Sequence, residues 1–243
     1  MSGTLYGIGI GPGDPELITL KAKRRIEACP VIVAPVRAEG ERSTALGIVR
    51  SEIDLEGKTV LELVFEMSGD AADYDRCGDA AAEIIIRELE RGRDVAMISL
   101  GDVSVYSTYM YTEGCIRARG YRTVSVPGIP SFCGGAALAG IPLTLGDEGL
   151  AIVPAAKGNP LVEAALDGFE NVVIMKAGRS LDAIAGMLEA RGLPAECATV
   201  IHNVGMEGEY IGPIDVSRDH GYFTTVIVKR GGRAAGSDAG CRG

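Results

Sequence analysis

In the stretch SLGDVSVYSTY, residues 99–109, one carboxylate, Asp102, directly follows a short apolar run and precedes a series of hydroxyl-bearing side chains. A carboxylate there suits proton transfer, or pairing with a cation or an N–H group, because ligands of parallel α/β sheets lie beyond the carboxyl ends of the strands. It equally suits a helix cap, a role that Asn fills about as well as Asp. The second titratable candidate is His202 in ATVIHNV (198–204), either a general base or a hydrogen-bonded structural histidine. Tyr106 and Tyr109, three apart at helical spacing, are expected on one helix face, in the core or in a pocket wall. Arg37, Arg42, Lys157 and Arg179 follow strand-like runs or sit in loops. They are candidates for pairing with ligand carboxylates, or solvated surface charges. Cys133, beside a Gly-Gly pair, reads as small-residue helix packing, since no base stands near it in sequence.

The stretch GIGIGPGDPELITL (7–20) places four glycines and two prolines between an apolar run and a helix-like run. It is not a dinucleotide fingerprint. Counted from Gly7, the third glycine of G-x-G-x-x-G falls on Pro12, and counted from Gly9 on Asp14. No Gly-Lys-Ser/Thr follows, which excludes a P-loop. Asp14 and Pro15 instead predict an N-cap and a first helical residue. VPGIPSF (126–132) and MKAGRS (175–180) are further turns of small side chains. Together they predict a site walled by main-chain atoms, suited to a ligand rich in hydrogen-bonding edges and lacking phosphate, such as an adenine nucleoside.

These turns need a scaffold, and 243 residues, 47% hydrophobic, suffice for one large or two medium domains. The net charge of −9 argues against a nucleic-acid surface, as do the absence of Trp and the presence of only four Phe. Six widely spaced cysteines without a C-x-x-C pair suit reduced thiols better than a disulfide frame or zinc site. With two histidines, a His-rich metal centre is not expected. No 18-residue apolar run and no secretory-type leader are found, so a cytoplasmic protein is expected.

Short continuous apolar runs predict strands at 5–11, 31–35, 59–65, 94–100 and 122–127. Helical patterns lie between them at about 15–28, 43–53, 70–91 and 106–119. This alternation reads as a parallel α/β sheet. Beyond it a small-residue helix at about 131–139 leads to four strand-like runs, with one clear helix near 180–191 among them. Part of the second sheet is therefore expected to be antiparallel. The predicted organisation is an N-terminal α/β domain over 1–126, a C-terminal α/β domain over 127–230, and a disordered tail over 231–243.

LYGIGIGPGDPELITLKA, SLGDVSVYSTY, VPGIPSF and GIPLTLGDEGLAIVPA, in this order, resemble the tetrapyrrole (corrin/porphyrin) methylases, and most of all their precorrin-2 C(20)-methyltransferase group. The resemblance spans about residues 3 to 230. It implies the two-domain tetrapyrrole-methylase fold, S-adenosyl-L-methionine bound between the domains, and a homodimer. The implied substrate is precorrin-2 or its cobalt-containing counterpart in cobalamin synthesis. Carried over position by position, the family's cofactor contacts fall on Pro12, then on Leu100, Gly101, Asp102 and Val105, and on Pro130 and Ser131. Further contacts fall on Met175, on Val204 or Gly205, and on Thr224 or Thr225. The chain departs from the family's pattern twice. Gly-Asp-Val replaces the common Gly-Asp-Pro at 101–103, and Pro130 replaces a threonine, which removes one side-chain contact.

The chemistry implied is attack by an electron-rich meso carbon on an activated methyl group, then loss of a proton from that carbon. Asp102 and His202 are both candidates to accept the proton. An octacarboxylate substrate would be repelled by the net charge, screened beyond ~8 Å, so the basic residues named above must gather locally. The alternatives are a methylase of the same fold acting at another tetrapyrrole position, on RNA, or on the diphthamide precursor. A nicotinamide dehydrogenase lacks its fingerprint here, and nothing in the sequence speaks for a non-catalytic binding module.

Overall fold

The computed structural model describes residues 2–65, 71–155 and 160–230. Lys157 and the 231–243 tail lie outside them. The chain divides into one compact unit ending at Pro130 and a second beginning at Ser131.

The first unit is built on a parallel five-stranded sheet in the order β3-β2-β4-β1-β5. Its strands are β1 (Thr4–Gly9), β2 (Val31–Val36), β3 (Thr59–Val64), β4 (Val95–Ser99) and β5 (Arg122–Val126). Leu5, Val31, Val33, Val95 and Met97 pack with Ala82, Ile85 and Leu89 of helix α3 (Ala71–Glu90) and with Tyr109 and Ile116 of α4 (Thr108–Ala118). The alternate residues Ile32, Ala34, Ala96 and Ile98 are also fully buried. That is why these strands read as unbroken apolar runs and not as alternating ones.

The GIGIG run has two different structural reasons for its small residues. At Gly7 a Cβ would stand 2.2 Å from the Tyr109 ring, so the glycine makes room for a phenol packed against the strand. Gly11 adopts φ 84°, a left-handed turn open to glycine at little cost. Beyond it Asp14 caps a single 3-10 turn, Pro15–Leu17, its carboxylate accepting from the Glu16 amide at 2.8 Å. A second cap, Thr19, then starts α1 (Leu20–Ala28). The expected continuous helix over 15–28 is thus two pieces, because each capping side chain begins its own. Helix α2 (Thr44–Glu52) is capped by Ser43.

The second unit carries a mixed sheet in the order β6-β7-β10-β8-β9. It comprises β6 (Leu150–Pro154), β7 (Asn171–Met175), β8 (Ala198–His202), β9 (Tyr210–Gly212) and β10 (Thr224–Lys229). β6 and β7 are parallel, β10 runs antiparallel to both β7 and β8, and β9 runs antiparallel to β8. The expected antiparallel part is therefore present. Three helices accompany the sheet: α5 (Ser131–Leu138), α6 (Pro160–Gly168) and α7 (Leu181–Ala190). Helix α6 was not expected; its short PLVEAALDG pattern sits between two strand-like runs. It and α7 cover a core of Val172, Ile174, Val200, Val226 and Val228.

Candidate functional site

In the first unit all five strands run the same way, so β1, β4 and β5 end on one edge. There Gly9 pairs with Ser99, and Ile8 pairs with Val126. Past that edge the loops meet main chain to main chain. Gly11 and Gly101 exchange both hydrogen bonds, at 3.2 and 2.7 Å. A Cβ on Gly128 would stand 2.2 Å from the Gly101 carbonyl, and one on Gly9 2.6 Å from the Gly128 nitrogen. Only glycines permit this approach, which accounts for their recurrence after three separate strands.

Asp102 fastens this junction. One carboxylate oxygen accepts from the Ser104 amide at 2.8 Å and from the Ser104 hydroxyl, and the other accepts from the Gly128 amide at 2.7 Å. The side chain is buried, at 9% exposure. Burial disfavours its charge, but the Ser104 and Gly128 donors outweigh that effect and hold the carboxyl below the ordinary aspartate range. It stays ionised at neutral pH. It does not cap a helix: α4 begins at Thr108, and its cap is Ser107, whose hydroxyl accepts from the Tyr109 amide at 3.2 Å.

The expected pairing of Tyr106 and Tyr109 on one helical face is not found. Tyr106 precedes α4 in a left-handed conformation, φ 49°, and is 46% exposed. Tyr109 is wholly buried, with the Ser125 hydroxyl 3.4 Å from its phenol oxygen. It is a core residue under β1 and lines no open site. Helical spacing does not hold between them because Ser107 caps α4 and leaves Tyr106 in the preceding loop.

In the second unit, the shared antiparallel partner β10 makes β7 and β8 parallel to each other, so their carboxyl ends share an edge with the start of β10. Met175 pairs with Thr225, and His202 with Thr224. Nδ1 of His202 lies 2.9 Å from the Thr224 hydroxyl, which donates to the Gly221 carbonyl at 2.7 Å. The ring of His220 stands edge-on to His202, centroids 5.4 Å apart, and that of Tyr210 lies 5.2 Å from His220. Burial pushes His202 below the ordinary histidine range, and His220 pushes the same way; the Phe223 main chain and Asp219 oppose them. A Cβ on Gly178 would meet the His220 and Gly221 carbonyls within 2.2 Å. The MKAG turn therefore lies directly against the segment that carries His220.

The remaining candidates fall as follows. Pro12 is buried, Leu100, Val105 and Pro130 are half-buried near the first edge, and Ser131, half-buried, begins α5 of the second unit. Met175 is half-buried, while Thr225 and Val204 are buried, Val204 near Gly135 of α5. Gly205 donates its amide to Glu209 at 2.7 Å. Arg37 and Arg42, in the loop after β2, and Arg179, in the turn after β7, are exposed. Cys133, half-buried, has its thiol pushed up by burial, in keeping with packing and not with nucleophilic chemistry.

Sequence reasoning missed three residues. Lys176 and Asn203 stand immediately after β7 and β8 in left-handed conformations, φ 58° and 51°, and Tyr106 does the same in the loop after β4. Such non-glycine conformations are sparse and gather where a chain is held for function. Nothing in the sequence marks Lys176, whereas asparagine's tolerance of this region was a usable signal at Asn203. The third is His220, which only its contact with His202 reveals.

The family model for Tetrapyrrole (Corrin/Porphyrin) Methylases matches residues 4–217. The chain is 31% identical to the cobalt-precorrin-2 C(20)-methyltransferase of Salmonella typhimurium over 234 residues, 95% of this chain and 98% of that protein. It is 32% identical to the precorrin-2 C(20)-methyltransferase of a Sinorhizobium species over 234 residues, 93% of this chain and 95% of that one. The fold is similar to that of the uroporphyrin-III C-methyltransferase from Thermus thermophilus, solved in complex with S-adenyl homocysteine. The TM-score there is 0.69 at 19% identity, covering 93% and 92% of the two chains.

Proposed function

The chain belongs to the tetrapyrrole (corrin/porphyrin) methylase family, and we propose that it transfers a methyl group from S-adenosyl-L-methionine to carbon 20 of precorrin-2 or of its cobalt-containing form, in cobalamin biosynthesis. The observation that carries this reading is the near full-length similarity to proteins named for that position and no other.

The residues at the first edge fit the cofactor. The edge is walled by main-chain groups of the loops after β1, β4 and β5, which suit the hydrogen-bonding rim of an adenine nucleoside. It also holds an ionised carboxylate, Asp102, which favours a cationic ligand over an anionic one. Pro12, Leu100–Asp102 and Pro130 would hold the cofactor on this edge. When bound, the cofactor supplies an activated methyl group on a sulfonium, the hard part of the chemistry. The protein's part is to hold the electron-rich meso carbon in line and keep water away. Positioning of this kind lowers a barrier by ~7–11 kcal/mol. Asp102 keeps the loops in register and stays ionised throughout.

A polycarboxylate substrate must overcome the chain's net charge of −9. Arg37 and Arg42 on the first edge are the basic groups of the first unit assigned to it, and Lys176 and Arg179 after β7 those of the second. We further propose that the enzyme acts as a homodimer in the cytoplasm. No helix among the described residues is long and apolar enough to cross a membrane.

The test is incubation with S-adenosylmethionine and either metal-free or cobalt-loaded precorrin-2, read by mass spectrometry and NMR. One added methyl on carbon 20 is expected. A methyl on another carbon, or no transfer to either substrate, rejects the assignment. Light scattering reads the dimer.

A further inference from the structure

We propose that His202 is the proton acceptor of the methyl transfer, and that Thr224 and His220 are its positioning residues, Thr224 by fixing the imidazole proton on Nδ1 and His220 by standing edge-on against its ring. This rests on the methyltransferase reading above.

The hydrogen-bond chain decides the tautomer. The Gly221 carbonyl can only accept, so the Thr224 hydroxyl spends its hydrogen there, at 2.7 Å. Only lone pairs of that oxygen then face His202 Nδ1, at 2.9 Å, and Nδ1 must carry the ring's proton. Nε2 is left with its lone pair, as a base requires. The imidazole belongs to the last residue of β8, at the edge that also carries Met175 and the left-handed Lys176 and Asn203.

His220 packs edge-on against the same ring. These are the chain's only two histidines, and they stand side by side. His220 is 3% exposed, and its buried Nε2 has no hydrogen-bond partner among the described residues. His202 is half-buried and already bonded through Nδ1, and its protonation is disfavoured by burial and by His220. Around the pair stand Asp219, the Phe223 main chain and Tyr210, with Arg218 over the Tyr210 ring at 4.7 Å and Asp215 3.4 Å from Arg218. Asp219 favours the imidazolium once it forms.

In the step assigned to His202, the meso carbon has bonded to the methyl carbon and the carbon–sulfur pair has left with sulfur. The C–H bond at that meso carbon then breaks, its electron pair returns to the macrocycle, and the proton passes to Nε2. Nδ1–H stays on Thr224, and the imidazolium later releases its proton to solvent.

With two histidines, 15N NMR of the whole protein reads the tautomers directly, and His220→Phe assigns the signals. In the wild type His202 is expected as the Nδ1–H form. Thr224→Val should shift it toward Nε2–H and lower methyl transfer ten-fold or more with cofactor affinity retained, and Thr224→Ser should restore both. His220→Phe should move the acid limb of the rate profile to higher pH, and His202→Gln should abolish that limb. An Nε2–H form in the wild type, or an unmoved tautomer and rate in Thr224→Val, overturns the proposal. The tautomer is read without turnover, so failure of this inference and failure of the methyltransferase reading are separable.

Discussion

The backbone N–H of Gly128 donates to the carboxylate of Asp102 at 2.7 Å, tying the loop after β5 to the loop after β4. The same carboxylate holds Ser104, so one side chain sets the spacing of two of the loops that form the first edge. The consequence for Asp102→Asn is a loss of stability. An amide can turn only its oxygen to one set of donors, and its NH2 then confronts the other.

Asp102→Asn is expected to cost about 1–3 kcal/mol, as a buried donor left without an acceptor does, where a helix cap would lose far less. Urea denaturation of both proteins measures the difference. Because the folded carboxyl is held low, its contribution is fully present above the unfolded aspartate value. The gap between wild type and variant should therefore be constant near neutrality and shrink in acid, as the native carboxyl takes up its proton. Equal stability at pH ~7 would refute the fastening role.

His202 gives a second pH dependence. Its folded value is depressed by burial and by His220, so the unfolded chain binds the proton more readily. Stability should fall as pH drops through ~6.5 toward the lower folded value, and flatten below both. In His202→Gln that part of the fall should vanish. Thermal melts across the range, at constant ionic strength, check it.

Gly7 and Tyr109 form a size-matched pair, and Gly7→Ala drives a methyl into the phenol ring. A cost of ~1–3 kcal/mol is expected, the range for overpacking a filled core. Pairing it with Tyr109→Leu should recover part of that loss, giving a non-additive double-mutant cycle. Strict additivity would show that the strand tolerates the methyl by itself.

Lys176 should separate folding from binding. Glycine suits φ 58° without the steric cost that a lysine bears, so Lys176→Gly is expected to fold as stably as the wild type, within about 1 kcal/mol. If the ammonium serves substrate carboxylates, KM should rise several-fold with kcat little changed. An unaltered KM at low salt would remove Lys176 from substrate binding.

Cys29 is buried, and its thiol is pushed up to about 12, chiefly by burial. In the native protein it should resist iodoacetamide at about pH 8, where thiolate is the reactive form. The half-buried Cys77 and Cys115 should react first. Unfolded without reductant, all five cysteines among the described residues should titrate as free thiols. Peptide mapping of the label reads both outcomes.

The sequence by itself determined the periodic parts of this protein. Runs such as VIVAPV and VAMIS, bounded by Gly, Pro and polar clusters and rich in β-branched residues, predict strands buried on both faces, and they form them in the parallel first sheet. The Gly/Pro turns were legible as places where main chain must approach main chain, and four motifs in order were enough to point to the family. Tertiary structure alone decided what the individual polar groups do. Asp102 became a fastener and not a cap because its partner, Gly128, lies 26 residues away. Tyr109 went into the core because Gly7, on another strand, leaves it room. His202 acquired its tautomer from Thr224 and its neighbour His220 from segments 22 and 18 positions later. Backbone periodicity is a local property and can be read along the chain. A side chain's proton, charge and partner are set by atoms that only folding brings within 3 Å or so of it, a typical hydrogen-bond distance.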